Sequence, residues 1–243
     1  MSETVVEVNN LVKQYKNSLA VNNLNFKITK GTIIGLLGPN GCGKTTTIGM
    51  MLGLIKPTSG TVFINNQNIE NEKSRTTILE KMNFISPYIE LPKKLSVEEN
   101  LKVYGRMYGV SNLQDKISNL MKELNLLDFK KRKTGELSSG QKNRVSLAKA
   151  LINDPDILLL DEPTASLDPD VGDYIRTYIE NFASKKGKTI LLASHNMNEV
   201  ERLCNEVMMM KNGSIIDKGT CSNLISKHGR KNLEETFLKI VRE

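Results

Sequence analysis

Residues 33–46 read IIGLLGPNGCGKTT, an apolar strand that runs into a glycine-rich loop and then into the start of a helix. Residues 38–45 satisfy the pattern G-x-x-x-x-G-K-[ST], and the flanking strand and helix supply the context that this pattern requires. Glycine lets successive backbone N–H groups converge on a phosphate, because a Cβ atom would block both the conformation and the close approach. The helix start adds a positive partial charge. The stretch therefore predicts a loop that binds the phosphates of a nucleotide.

Individual residues of this loop have predicted tasks. Lys44 reaches the β and γ phosphates, the Thr45 hydroxyl binds Mg²⁺, and Thr46 adds a phosphate contact. Cys42 leaves two interpretations open: a reactive thiol whose pKa is lowered by Lys44 and the helix start, or a small inert filler. The predicted nucleotide-binding set is Gly38, Pro39, Asn40, Gly41, Cys42, Gly43, Lys44, Thr45 and Thr46.

A second candidate site lies at the end of the apolar run 157–160, where Asp161 and Glu162 follow. Carboxylates at the carboxyl edge of a parallel strand lie where ligands bind in such sheets. Adjacent residues of an extended segment point in different directions, so Asp161 can face the metal through water while Glu162 faces the attacking water. We therefore predict Thr45 and Asp161 as the residues that hold Mg²⁺ and Glu162 as the catalytic base.

Strand-like and helical segments alternate along the chain. The strand-like segments are residues 5–8, 24–28, 32–37, 61–64, 157–160, 189–193, 207–210 and 214–216. Apolar residues between 96 and 150 recur at helical spacing, and a helix is predicted over 169–185. This alternation predicts an α/β fold with a mainly parallel sheet covered by helices. We expect a nucleotide-binding core (1–86 and 153–220), a helical subdomain (87–152) and a helical C-terminal tail (221–243).

Four motifs, in this order along the chain, resemble those of ABC ATPases. The phosphate loop is followed by Leu137-Ser138-Ser139-Gly140-Gln141, which resembles the LSGGQ signature with Ser139 replacing the first glycine. The segment 161–168, DEPTASLD, resembles the acidic strand end and the D-loop that closes with Asp168. Ser194-His195 matches the switch histidine, and Tyr15 matches the aromatic residue that stacks on adenine. On these motifs the chain is identified as a member of that family over essentially its whole length.

The resemblance implies a P-loop nucleotide hydrolase fold with an antiparallel N-terminal β part. It also implies a mechanism of ATP hydrolysis between two domains. Two domains, as a homodimer or pseudo-homodimer, pack head to tail with two MgATP between them. The phosphate loop of one holds the triphosphate, and the signature residues of the other, Ser138, Ser139, Gly140 and Gln141, close over the γ-phosphate. Glu162 polarises the attacking water, while His195 contacts the γ-phosphate and holds Glu162 in place. For Tyr15 an alternative stays open, simple packing against the β-rich edge.

One position departs from the family pattern. The family usually has a glutamine at the end of the strand that enters the helical subdomain, where it touches Mg²⁺ and reports to the membrane domain. Alignment on residues 95–97 puts Pro87 there, and proline offers neither a side-chain acceptor nor an N–H. Thr45, Asp161, phosphate oxygens and water still suffice for octahedral Mg²⁺. We therefore expect coupling to run through Tyr88 or Glu90.

The amino-acid composition limits the class of protein and the cellular location that we expect. Hydrophobic residues make up 39% and charged residues 25% of 243, as in ordinary soluble domains. The sequence contains no apolar run near the roughly 18 residues of a membrane span and no secretory signal pattern. Three cysteines lack metal-ligand spacing. The charge of +7 is spread along the chain without aromatic interleaving, so no nucleic-acid partner is expected. We expect a cytoplasmic protein, peripheral on the cytoplasmic face of the membrane.

The motifs leave three kinds of ABC protein to distinguish. The leading prediction is a transporter ATPase that works with a separate polytopic membrane permease, docked through Tyr88, Ile89, Leu91 and Pro92. Export is favoured because residues 232–238, NLEETFL, resemble the ends of exporter ATPases, while import stays open. A soluble ABC ATPase of translation, DNA repair or iron–sulfur assembly is the alternative; a second cassette or long coiled coils are missing. Glu162 and His195 argue against a non-hydrolysing clamp.

Overall fold

The computed structural model describes residues 3–87, 89–165 and 167–242. In chain order its strands are β1 (Thr4–Tyr15), β2 (Ser18–Thr29), β3 (Ile33–Leu37), β4 (Ser59–Ile64), β5 (Gln67–Asn68), β6 (Met82–Ile85), β7 (Ile157–Asp161), β8 (Thr189–Ser194), β9 (Glu206–Lys211) and β10 (Ser214–Gly219). Its α-helices are α1 (Lys44–Met51), α2 (Glu72–Glu80), α3 (Val97–Met107), α4 (Leu113–Glu123), α5 (Ser139–Leu151), α6 (Pro169–Lys186), α7 (Met197–Leu203), α8 (Cys221–His228) and α9 (Leu233–Arg242). Short 3₁₀ turns occupy Leu127–Phe129 and Thr134–Glu136.

The strands form two sheets. The first is antiparallel, with the order β2-β1-β4-β5, and the second has the order β10-β9-β3-β8-β7-β6. Within the second sheet, β9, β3, β8, β7 and β6 run parallel, and only the edge strand β10 pairs antiparallel. This architecture confirms the predicted fold class, an α/β fold with an antiparallel N-terminal part and a mainly parallel sheet.

The central strands are continuous apolar runs because both faces of the second sheet are covered. Successive side chains of β7 alternate between two cores: Leu159 joins the core shared with the antiparallel sheet, whereas Leu158 and Leu160 join the core beneath the helices. In β8, Leu191 and Leu192 divide in the same way. This alternation fixes which side chain faces which layer.

The register of the parallel strands places the candidate site. Asp161 of β7 lies opposite Ala193 of β8, and Leu37 of β3 lies opposite Ser194. The carboxyl ends of β3, β8 and β7 are therefore neighbours. The residues that follow these three strands, the phosphate loop, His195 and Glu162, emerge at one edge of the sheet, as expected for a ligand site in a parallel sheet.

Several elements were not predicted. Helix α2 buries only Ile78, so its sequence shows no apolar stripe, and it begins at an Asn71 side chain that accepts a hydrogen bond from the Lys73 N–H. Strand β1 is three times as long as the predicted segment 5–8, because a register irregularity between Val8 and Leu11 interrupts the alternation of apolar residues. Strands β5 and β6 and helix α7 were also missed.

The helices α3, α4 and α5 fall within the range proposed for a helical subdomain, and α8 and α9 fall within the proposed tail. The tail has its own small apolar cluster, in which Leu224, Leu233 and Phe237 pack with Leu37 and Val200. Among the described residues, the helices are too short or too polar to pass through a lipid bilayer.

Candidate active site

The phosphate loop runs from the end of β3 to the start of α1, and two of its glycines are sterically required. Gly43 precedes the helix with φ +108°, and a Cβ there would lie 2.3 Å from the Ala20 carbonyl oxygen. A Cβ at Gly38 would lie 2.6 Å from the Met210 carbonyl oxygen. Both contacts are with backbone, which cannot give way. The loop therefore adopts its curve only with glycine at these positions.

Lys44 is buried, and its side chain lies along the loop. Its Nζ donates to the carbonyl oxygens of Gly38 at 2.6 Å and Pro39 at 3.2 Å. The same nitrogen is 3.9 Å from a carboxylate oxygen of Glu162. The ammonium thus lies between the loop and the acidic end of β7, where it can serve an anion bound between them.

Thr45 and Asp161 are brought together as a pair of oxygen ligands. The Thr45 hydroxyl donates to Asp161 Oδ2 at 2.8 Å, and the Asp161 side chain is buried. Burial raises the pKa of Asp161, while hydrogen bonds from Thr45 and Ser86 act in the opposite direction. Hydroxyl and carboxylate oxygens are the donors that Mg²⁺ prefers, so this pair fits that ion.

Glu162 and His195 form the second pair. His195 Nδ1 lies 2.7 Å from Glu162 Oε1, although the two residues are carried by different strands. The histidine ring is 55% exposed, whereas the carboxylate lies mostly inside. Glu162 has φ 51°, the left-handed conformation that costs a non-glycine residue roughly 1–2 kcal/mol. Its backbone N–H donates to the Ala193 carbonyl at 2.9 Å, which ties this turn to β8.

The signature residues begin α5 as a capping box. Ser138 Oγ accepts from the Gln141 N–H at 3.3 Å, and Gln141 Oε1 accepts from the Ser138 N–H at 3.0 Å. Because Ser138 Oγ acts as an acceptor here, its proton remains available to a second partner. Among the described residues, no hydrogen bond joins Ser138 or Gln141 to the phosphate loop, Asp161 or Glu162. The signature and the phosphate loop are separate surfaces of one chain.

A cavity of about 220 Å³ separates the end of β6 from the first turns of α5. Its lining includes Ser86, Pro87, Ser139, Asn143 and Glu162. The cavity therefore connects the carboxyl edge of the second sheet with the segment 89–93 that leads into the helical region. Asn143 of α5 also contacts the turn after β7, because its side-chain N–H donates to the Pro163 carbonyl at 2.7 Å.

Tyr15 and Asp168 lie at the margins of this arrangement. Tyr15 ends β1 and is 42% exposed, with the Lys13 ammonium 5.1 Å from its ring centre. An exposed ring is available for stacking. Asp168 precedes α6, where its carbonyl oxygen accepts from the Gly172 N–H at 2.9 Å.

The structure describes both positions that depart from the usual family residues, Cys42 and Pro87. Burial raises the pKa of the Cys42 thiol, although Lys44 acts in the opposite direction, so the structure supports the inert filler over the reactive thiol. Pro87 lies in a turn, and the preceding Ser86, rather than Pro87, contacts Asp161. Tyr88, to which we assigned coupling and docking, lies outside the described residues.

Four polar residues near the site were not predicted from sequence. Ser86 contacts Asp161, and Thr164 and Ser194 both donate to the buried carboxylate of Glu199. Each is an ordinary hydroxyl or acid in a linear sequence. Only the position of Ser194 beside His195 offered a signal, and it pointed to His195.

Comparisons with known proteins agree with the motifs. The profile of the family described as "ABC transporter" matches residues 21–165. The Nod factor export ATP-binding protein I of Cupriavidus metallidurans is 37% identical over 223 residues, which cover 91% of this chain and 73% of that protein. The ABC transporter ATP-binding protein NatA of Bacillus subtilis is 33% identical over 227 residues, covering 92% of this chain and 91% of that protein.

Solved structures show the same fold. An ATP-binding subunit of an ABC transporter superposes with a TM-score of 0.88 and 27% identity, covering 97% of this chain and 99% of the other. The dimeric post-hydrolysis state of the cassette MJ0796, bound to ADP and Pi, gives a TM-score of 0.82 and 27% identity, covering 88% of this chain and 98% of the other.

Proposed function

The chain belongs to the ABC transporter family as an ATP-binding subunit that hydrolyses ATP for transport, and from this premise we propose the roles of its residues, its partners and its direction of transport. The catalytic edge of the second sheet performs the hydrolysis. Export is the proposed direction, because relatives at 37% identity are named for Nod factor export. The ATP lies between two copies of the domain, an arrangement supported by the dimeric state described for a similar cassette.

Each group at the sheet edge has a proposed task. The N–H groups of the phosphate loop and the Lys44 ammonium bind the triphosphate and stabilise charge that develops on its oxygens. Thr45 and Asp161 hold Mg²⁺, which when bound neutralises phosphate charge. Tyr15 stacks on the adenine ring.

Glu162 is the general base. With its proton on Nδ1, His195 donates to Glu162 Oε1 across 2.7 Å and fixes the orientation of the carboxylate. The second carboxylate oxygen then accepts a proton from the attacking water. The observation that carries the proposal is the convergence of the pairs Thr45–Asp161 and Glu162–His195 beside one phosphate loop.

The second copy of the domain contributes the surface that covers the nucleotide, which we call the lid and which consists of residues 138–141. The Ser138 hydroxyl and the N–H groups at the start of α5 cover the γ-phosphate of the neighbouring copy, with Ser139, Gly140 and Gln141 shaping that surface and Asp168 lying at the same interface. Because the capping box holds Ser138 and Gln141 in place, the lid is ordered before the two copies meet. ATP acts as the bridge between them, and its hydrolysis releases the dimer.

A polytopic membrane permease on a separate chain is the proposed coupling partner, which places this subunit on the cytoplasmic face of the membrane. The surface that supports this assignment is the segment after β6, where Ile89 is 45% exposed and Leu91 packs against the helical core. Tagged protein purified from membranes of its own cell should carry a protein with several apolar spans. Recovery of the tagged protein entirely without such a partner would contradict the assignment.

Glu162→Gln tests the catalytic assignment. The substitution keeps the shape of the side chain but removes the base, so kcat should fall by about 10²- to 10⁴-fold, the usual contribution of a positioned base. ATP binding should persist, and an ATP-bound dimer should accumulate on size-exclusion chromatography. Lys44→Ala should instead weaken nucleotide binding itself.

Asp156→Asn is the matched control for this experiment. Asp156 precedes β7 at the opposite end of the strand, where its exposed carboxylate pairs at 3.0 Å with the largely buried ammonium of Lys188. The pair lies at the end of β7 away from Glu162, so turnover of the folded variant should be unchanged. If Glu162→Gln retained turnover close to that of Asp156→Asn, Glu162 would not be the base.

A further inference from the structure

We propose that Glu199 is a positioning residue for ATP hydrolysis, whose buried carboxylate ties together the two loops that carry Glu162 and His195. The proposal rests on the proposed function, in which Glu162 acts as the base and His195 orients it. Glu199 itself touches neither the nucleotide nor the reacting atoms. It acts through two hydroxyl groups that belong to those loops.

The two carboxylate oxygens of Glu199 bind different loops. Oε1 accepts from the Thr164 hydroxyl at 2.6 Å, and Oε2 accepts from the Ser194 hydroxyl at 2.8 Å. Thr164 lies two residues after Glu162, and Ser194 lies directly before His195. The side chain of Glu199, in the first turn of α7, therefore bridges the turn after β7 and the end of β8.

This bridge acts on a strained turn. Glu162 has a left-handed backbone conformation, and such conformations persist only where the surrounding contacts over-determine them. The Glu162 N–H is held by the Ala193 carbonyl at 2.9 Å, and the Glu162 carbonyl accepts from the Ala165 N–H at 3.2 Å. The bond from Thr164 to Glu199 fixes the same turn from the side chain. Without it, the turn can relax and carry the Glu162 carboxylate away from His195.

The same carboxylate also fixes the histidine loop. Ser194 Oγ donates to Glu199 and accepts from the Asn196 N–H at 3.0 Å, while Asn196 Oδ1 accepts from the Glu199 N–H at 3.2 Å. These three contacts restrain the residues on both sides of His195. The Glu199 carboxylate therefore restrains the loops of both residues in the 2.7 Å Glu162–His195 contact.

A carboxylate at this position is unfavourable for folding alone. Glu199 is 1% exposed, and burial raises its pKa, while the two hydroxyl groups favour the charged form. Replacing a buried charge and its partners with apolar groups often leaves stability unchanged or improves it. Short hydrogen bonds to a charged acceptor do offer strong geometric restraint. The buried carboxylate of Glu199 therefore serves to restrain the loops that carry Glu162 and His195.

The experiment compares Glu199→Ala, Glu199→Gln and Thr164→Val by steady-state ATP hydrolysis and by binding of a fluorescent ATP analogue. Misplacing a catalytic group by about 1 Å can cost about 10²-fold in rate, so Glu199→Ala should lower kcat by about 10- to 100-fold. KM and analogue binding should change by less than about threefold, because ground-state contacts are intact. Glu199→Gln, whose amide oxygen still accepts one hydroxyl, should recover much of kcat.

Glu201→Gln is the matched control, since Glu201 lies on the same helix and Oε1 accepts from the Leu233 N–H at 2.7 Å, away from the catalytic loops. It should keep kcat. If Glu199→Ala does not fold, Glu199→Gln and Thr164→Val carry the test. Unchanged kcat in both folded variants, or equal losses of kcat and analogue binding, would overturn the proposal.

Failure of this proposal is distinguishable from failure of the catalytic assignment. In a Glu162→Gln background, Thr164→Val should cause no further loss, because the group that it positions is already disabled. An additional loss of turnover in that double variant would show that Glu199 acts elsewhere. Normal turnover of Glu162→Gln alone would refute the base and leave the Glu199 measurements as a separate result.

Discussion

Lys149 is a buried cation whose replacement should change how stability depends on pH. It lies on α5 with 8% exposure, and its Nζ is 3.4 Å from Asn83 Oδ1 and 3.3 Å from the Phe84 carbonyl oxygen. The rings of Phe84 and Tyr104 flank it, with centres at 5.0 and 5.5 Å. Within the described residues no carboxylate lies within ion-pairing distance. Burial lowers the pKa of Lys149 from 10.5 to about 8.

The sign and size of the effect follow from this pKa. Because the folded protein releases the proton near pH 8 and the unfolded chain near pH 10.5, the folded state is penalised at low pH and recovers stability as the pH rises between these values. At 1.36 kcal/mol per pKa unit, the penalty below pH 8 is about 3 kcal/mol. Other lysines and tyrosines titrate in the same range, so the effect must be read from a difference between variants.

Urea unfolding of the original protein and of Lys149→Met, from pH 7 to pH 10, provides that difference. The free energy of unfolding of the original protein should rise relative to Lys149→Met by about 2–3 kcal/mol over this range. Lys142→Met, an exposed lysine on the same helix, should run parallel to the original protein. If Lys149→Met also ran parallel, Lys149 would not lose its proton in this range and the reasoning from burial would be refuted.

Two further predictions concern the unusual positions near the phosphate. Pro87→Gln should leave basal ATP hydrolysis within a few-fold, because Thr45 and Asp161 are the proposed protein ligands of the metal; a collapse of hydrolysis would show that the alignment at Pro87 is wrong. Alkylating reagents should not inactivate the folded protein through Cys42, because burial shields the thiol and raises its pKa; inactivation of the original protein, prevented by ATP and absent in Cys42→Ala, would contradict this.

The fold was predictable where burial dominates the sequence. Strands β3, β7 and β8 are uninterrupted apolar runs because both faces are covered, and such runs between turn residues identify central parallel strands. Helix α2 was not predictable, because it buries one residue and is stabilised by its ends. Element type follows from sequence where many side chains share one environment, and not where a single cap decides.

The candidate site divides in the same way. The phosphate loop, Asp161 and Glu162 were predictable because their residue types and spacing have few other uses. The contacts of Ser86 and Glu199 were not predictable, because they join residues 75 and 35 positions apart in the sequence, Ser86 with Asp161 and Glu199 with Thr164. Lys149 falls on a predicted helix, but helical periodicity does not reveal that its charge is buried, with no carboxylate of the described residues within ion-pairing distance.

The register of the second sheet connects the packing of the core with the geometry of the candidate site. Ala193 faces the core shared with the antiparallel sheet, and Leu192 faces the core beneath the helices, so apolar packing sets the face on which Ser194 lies. A slip of β8 by one residue would turn Ser194 to the opposite face, away from Glu199, and would move the side chains that fill each core into the other core, where they do not fit the packing. The same contacts that exclude this slip therefore hold His195 beside Glu162. Core substitutions in β8 that preserve folding but loosen its register should lower kcat before they lower nucleotide binding.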